Sequence, residues 1–320
     1  ERATDLVELA GRTGKPDDAL AAASARGITS FYAGAHAEAM EHLETAGRGF
    51  EPGSHYDRVA RFADDPCFGA LVTWGWALAL AGREEEGLAA VRRAVEAAEA
   101  LSNPVELARG LAHLSVTLFS AGRADAELAA AVGRCLEISS AEGFPVWIGY
   151  GRMWAGWMAA REGEAGGPVE MREGIGLLRM LGLGSGSALC SGVLADASLA
   201  LGDVAAGLAA VEEGLAAVES TGERLWEPEL LRLQGELRAL DEPASREAGA
   251  LLERSRLLAR ERGSRQFELR AAVGLGRLRR DGEEREAARV ALEETLGGFP
   301  DDATGAPVLE ARSLLGELGG

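Results

Sequence analysis

The stretch WGWALALAGREEEG, Trp74 to Gly87, carries eight apolar or small residues up to Gly82 and then four charged ones, Arg83 to Glu86. It reads as a membrane segment, as a core helix, or as one copy of a recurring unit. The longest uncharged runs, Cys67 to Gly82 and Leu181 to Ala195, fall short of the roughly 20 apolar residues a membrane helix needs, so the first reading fails. Gly75 precedes Gly82 by seven residues. The same spacing returns as Gly27 with Gly34, Ser115 with Gly122, Gly156 with Gly163, Ala195 with Gly202, Gly235 with Glu242 and Leu275 with Gly282. The second members step once by 48 residues and then by 39 to 41, so the stretch is one copy of a repeat.

Each unit has the same internal logic. An apolar helix carries a small residue where a neighbour must approach closely, and Gly ends it because a helix stop often needs a left-handed backbone. A charged amphipathic helix follows, with apolar positions three and four apart. In Arg83 to Leu101, Leu88, Val91, Val95 and Ala98 share one face; in Asp203 to Ser220, Leu208, Val211, Leu215 and Val218 do. Turn formers separate the units: Ser102-Asn103-Pro104, Gly143-Phe144-Pro145 and Thr221-Gly222-Glu223.

Composition agrees. Apolar residues make up 47% of 320, enough for a core, and no alternating run of Val, Ile and Thr supports a strand. The class is all-α. A net charge of −18 repels phosphate backbones and argues against direct nucleic-acid binding. Cys67, Cys135 and Cys190 are odd in number and show no ligand or disulfide spacing. They read as small hydrophobes in a reducing cytoplasm.

A small residue, an apolar one three before it, Gly seven after and Ala or Gly twelve after is the tetratricopeptide pattern. Tyr32, Ala39, Leu43 and Ala46 complete it in the first unit; Gly87, Val91 and Ala94 do so in the second. The third is degenerate, with Glu127 in place of Ala. The expected architecture is an α-solenoid of about seven tetratricopeptide-like helix pairs with a period of about 40 residues. The pairs span 16–55, 66–104, 105–143, 144–185, 186–222, 223–263 and 264–300. Residues 1–15 read as the second helix of a truncated repeat, as though cut from a longer protein, and 303–318 as a capping helix.

Several stretches go beyond the generic repeat: GFPVW (Gly143 to Trp147), TGERLWEPELLRLQGELRAL (Thr221 to Leu240), ARERGSRQFELRAA (Ala259 to Ala272) and LEARSLLGEL (Leu309 to Leu318). With these the chain resembles the C-terminal tetratricopeptide arrays of bacterial multidomain signal-transduction ATPases. The approach to the last helix, GGFPDDATGAPV, departs from that pattern. In the family an N-terminal module, often a class III nucleotide cyclase and sometimes a DNA-binding domain, precedes an ATPase domain and then the array. The resemblance implies a regulatory region whose chemistry resides upstream.

The chain itself shows no catalytic motif. GRTGKPDD at Gly11 has the wrong spacing for a Walker A loop and Pro where Ser or Thr should bind magnesium. GLGSG at Gly182 to Gly186 lacks a preceding strand and reads as a turn. His36, His42, His55 and His113 form no metal-binding spacing, and no nucleophile elbow is present. No cofactor or metal is expected.

In such arrays the first helices line a concave groove. Motif positions place Tyr32, Trp76, Phe119, Tyr150, Met153, Trp157 and Arg161 there, followed by Asp196, Glu229 and Arg232. Aromatics and arginines are the anchors of interaction sites. Tyr150, Met153, Trp157 and Arg161 share one helical face, whereas Trp147 and Trp226 suit the pinning of turns and Trp74 and Trp154 the core. The expected function is a non-catalytic scaffold or sensor. It would bind a protein or peptide segment, from this or another chain, or a small effector, without contact to membrane. The alternative is a self-association or autoinhibitory docking region with no ligand.

Overall fold

A few residue types set where helices start and stop. The computed structural model describes residues 2–184, 186–242, 245–281 and 284–319, and among these are seventeen α-helices and no strand. α1 (Arg2–Thr13) leads into α2 (Pro16–Tyr32) and α3 (His36–Arg48). A 3-10 turn and the eight-residue α4 (His55–Phe62) precede α5 (Pro66–Leu80) and α6 (Glu84–Ala100). There follow α7 (Pro104–Ser120) with α8 (Ala126–Glu142), α9 (Pro145–Arg161) with α10 (Gly167–Met180), and α11 (Ser187–Ala200) with α12 (Val204–Thr221). The array ends with α13 (Glu227–Asp241) and α14 (Arg246–Arg262), α15 (Arg265–Leu278) and α16 (Arg285–Leu296), and α17 (Ala306–Gly319). The molecule is an all-α solenoid of tetratricopeptide-like pairs.

Proline occupies the first turn of α2, α5, α7, α9 and α13, where its missing N–H leaves no bond unmade. Asp65 caps α5 by accepting from the Cys67 and Phe68 amides, and Asn103 caps α7 by accepting from the Glu106 amide. The first five pairs each turn on a glycine with φ between 70° and 88°: Gly34, Gly82, Gly122, Gly163 and Gly202. Glu242 ends α13 in extended backbone instead, while Gly282 and Ser185 lie outside the described residues. The small residue of each unit is an approach point. A Cβ on Gly75 would sit 2.6 Å from the Gly87 carbonyl oxygen of α6.

First helices stack on first helices, α5 on α7, α7 on α9 and so on to α15 on α17, and second helices cover them outside. Between the layers lie fully buried side chains such as Trp76, Leu80, Leu88, Val91, Trp154 and Phe267, each contributing roughly 1.5–3 kcal/mol by leaving water.

The sequence predicts a stack in which each unit meets only its neighbours. The structure departs from this, because the superhelix returns on itself. The Leu225 amide donates to the Tyr32 carbonyl at 3.1 Å, and the Ala306 amide to the Gly122 carbonyl at 3.1 Å. His36 Nε2 lies 3.0 Å from Ser264 Oγ, and Arg270 donates to the Phe119 carbonyl at 2.7 Å. Trp226 sits between Phe119 and Phe267, at 6.0 and 5.4 Å. Bare glycine turns make this approach possible. Positions where a Cβ would stand on Gly34, Gly82 and Gly122 have atoms of the last units within 4 Å, whereas Gly163 and Gly202 face open space. No helix among the described residues is long and apolar enough to cross a membrane.

Candidate functional site

The groove side holds two cavities, of which only one draws residues from both sides of the closure. The larger, about 860 Å³, is ringed by the C-terminal halves of α7, α9, α11, α13 and α15 together with the start of α17. The smaller, about 460 Å³, lies among α2, α4, α5, α7 and α9. An aromatic cluster stands between them. Trp154 faces the smaller cavity and packs on Phe119 and Trp157, which face the larger, at 5.1 and 6.1 Å.

The groove residues expected from the sequence divide accordingly. Phe119, Trp157, Arg161, Asp196 and Arg232 line the larger cavity; Tyr32, Trp76 and Tyr150 line the smaller. Met153 is fully buried and lines neither, so the face expected to carry Tyr150, Met153, Trp157 and Arg161 together is split across both cavities and the core. Glu229 is likewise fully buried, behind the wall of the larger cavity. Trp154 is core, as its position suggested, but Trp74 is only half-buried beneath the Arg48 guanidinium.

A continuous polar row crosses the larger cavity. Trp157 Nε1 donates to Asp196 Oδ2 at 2.8 Å, and Arg232 reaches Asp196 Oδ1 at 3.5 Å. Arg232 also makes a two-pronged pair with Glu229 at 2.8 and 2.9 Å and meets Glu236 at 2.8 Å. Arg270 completes the row with 2.8 Å to Glu229, its guanidinium stacked on Phe119. Burial alone would raise the Glu229 pKa, but Arg232 and Arg270 hold it below the ordinary carboxylate value. Burial also opposes the Arg232 charge, yet Glu229, Glu236 and Asp196 hold its pKa well above normal. Glu229 and Arg232 are therefore both charged at the centre of the row. Arg161 stands exposed over the Trp157 ring at 5.8 Å, and no carboxylate among the described residues pairs with it. Five arginines (123, 161, 232, 270 and 277) and four acids (196, 236, 281 and 310) line this cavity.

The smaller cavity is more apolar. Burial pushes the Tyr32 hydroxyl up to about 12 and Tyr150 well above its ordinary value. Burial and the Arg109 charge push His113 down to about 4, so its imidazole is neutral. Glu106, Arg109, His113 and Trp147 belong to this wall without having been singled out as groove residues. Trp147 and Arg270 do fall within family-like stretches, which was the signal available. No group of three His, Cys, Asp or Glu residues among the described ones is placed to hold a metal ion.

No protein-family model matches the chain, and no curated protein matches it. Among solved structures, yeast Tom70 is similar over 99% of this chain at 13% identity and a TM-score of 0.46. The chain spans 58% of the length of that structure.

Proposed function

We propose that the chain is a non-catalytic regulatory region that takes a small effector or the end of a peptide into the larger cavity. Occupancy would then set the activity of a neighbouring ATPase, cyclase or DNA-binding module, the context implied by the family resemblance. The observation that carries the reading is the hydrogen-bonded polar row from Trp157 to Arg270, which sets acidic and basic side chains along one cavity beside the unpaired Arg161. Its volume of about 860 Å³ falls within the roughly 300–1,000 Å³ typical of small-ligand pockets. A ligand bearing both a carboxylate or phosphate and an amine suits such a wall, with Arg161 meeting the anion. A relay is at hand. α7 and α17 meet across the seam beside this cavity, so a ligand that spreads or draws together its walls acts on the closure.

A thermal-shift panel of zwitterionic compounds and short peptides, followed by calorimetry, tests the proposal. Arg161→Ala should lower the affinity of any binder about tenfold, equivalent to roughly 1.4 kcal/mol, and Trp157→Ala should lower it further. Binding left intact by both substitutions, or no binder at all, would remove the larger cavity from consideration.

A further inference from the structure

The smaller cavity has a chemistry of its own, independent of the ring of ion pairs. Five aromatic side chains line it: Tyr32 from α2, Trp76 from α5, and Trp147, Tyr150 and Trp154 from α9. α7 adds Glu106, Arg109 and His113 to the lining, with His113 edge-on to Trp147 at 6.5 Å. Aromatic faces carry negative potential and attract cations.

The polar groups on this wall chiefly accept. Glu106 is only 5% exposed, and its Oε2 has no hydrogen-bond partner. The nearest positive group, Arg109 Nη1, lies 3.6 Å away and is already bonded to Asp64 at 2.9 and 3.2 Å. The rest of that guanidinium is turned onto the Phe68 ring, 5.8 Å from its centroid. His113 Nδ1 lies 2.9 Å from the Arg109 carbonyl oxygen. A carbonyl only accepts, so Nδ1 carries the proton and Nε2 is left as a lone-pair acceptor. Burial raises the Glu106 carboxyl to about 6, so above that pH Asp64 and Glu106 against Arg109 leave a formal charge of −1 on the lining. The larger cavity, with five arginines and four acids, has the opposite sign. A buried carboxylate oxygen without a donor is costly to fold and needs a reason.

We infer that the smaller cavity is a binding site for an apolar organic cation, whose positive head lies between the aromatic rings and the Glu106 carboxylate. Arg109 and Asp64 hold the carboxylate side of the site in place, and the ring faces select against anions. The ligand class is an amine or quaternary ammonium with an apolar body, of a size to fill about 460 Å³.

Benzyltrimethylammonium is a suitable probe, with benzyl alcohol and benzoate as neutral and anionic counterparts of similar body. Titration followed by tryptophan fluorescence and calorimetry should show saturable binding of the cation and none of benzoate. Glu106→Gln preserves the shape and removes the charge. It should weaken the cation by about tenfold or more while leaving any residual benzyl alcohol signal unchanged. Tyr150→Leu should weaken the cation through loss of an aromatic ring from the lining. Circular dichroism and the melting temperature of each variant establish that it is folded. Equal binding of cation and benzyl alcohol, indifference to Glu106→Gln in a folded variant, or no cation binding at millimolar concentration would each overturn the inference. The outcome is separate from that for the larger cavity, whose variants and ligands are different.

Discussion

Glu229 holds two arginines, receiving hydrogen bonds of 2.8 to 2.9 Å from Arg232 and Arg270 while its own side chain meets no solvent. Breaking a buried ion pair from one side leaves the other charge without its partner, at a cost of about 3–5 kcal/mol. Glu229→Ala should therefore lower the urea midpoint far more than Arg161→Ala, which removes an exposed side chain and should change stability by less than about 0.5 kcal/mol. Similar losses in the two variants would mean that Arg232 and Arg270 find other partners. Motif position placed both Glu229 and Arg161 on the groove side from sequence alone. It could not tell a wall ion pair from a free anchor, because the deciding partner, Arg270, lies 41 residues from Glu229 and reaches it from the next unit. Glu127, which looks like a defect in the third repeat, is explained in the same way. It accepts two hydrogen bonds from Arg92 of the preceding unit at 2.7 and 2.8 Å, replacing an apolar contact with an ion pair.

Between helices, glycine acts in two opposite ways. A Cβ on Gly156 of α9 would stand 2.9 Å from the Met171 amide nitrogen of α10, a backbone atom that cannot move alone. Gly176, in the same pair, has nothing within 4 Å of its Cβ position. Gly156→Ala should thus cost about 1–3 kcal/mol through forced separation of the pair. Gly176→Ala should stabilise by up to about 1 kcal/mol through helix propensity. Thermal unfolding of both variants gives the two signs directly, and a neutral or favourable Gly156→Ala would show that the pair can part without loss. This level of structure was the most readable, since close approach demands a small residue at a fixed interval. α4 was not anticipated. The sequence marks it only through the first step of 48 residues, a surplus taken up by its eight residues. Its anchors are polar rather than periodic: His55 Nδ1 lies 3.0 Å from Asp65, and Arg58 lies 3.3 Å from Asp17.

Across the whole molecule, closure rests partly on a titratable group. His36 is buried at the seam against Ser264, with Nδ1 unpartnered. Burial and Arg262 lower its pKa from 6.5 to about 4. Above pH 6.5 the imidazole is neutral folded or unfolded and has no effect. Between pH 6.5 and 4 the unfolded chain takes up the proton and the closed form does not, so stability falls with pH and levels off below about 4. The loss amounts to about 3.5 kcal/mol at roughly 1.4 kcal/mol per pKa unit. His113, lowered to about 4 as well, acts in the same direction. His36→Gln should flatten this dependence, and small-angle scattering should record a smaller gain in radius of gyration for the variant near pH 4.5 than for the parent. An unchanged pH slope would show that the seam does not sense His36. Periodicity revealed the units but not their return, because a local repeat carries no record of superhelical pitch. Whether residue 36 meets residue 264 depends on many small rotations added together. One consequence concerns how such a protein can change over generations. Open arrays lengthen or shorten freely by duplication, since each copy needs only a neighbour. Here a gained or lost copy between Tyr32 and Leu225 would carry that hydrogen bond out of phase by one whole module. The number of copies is therefore fixed by geometry, and variation is left to side chains rather than to length.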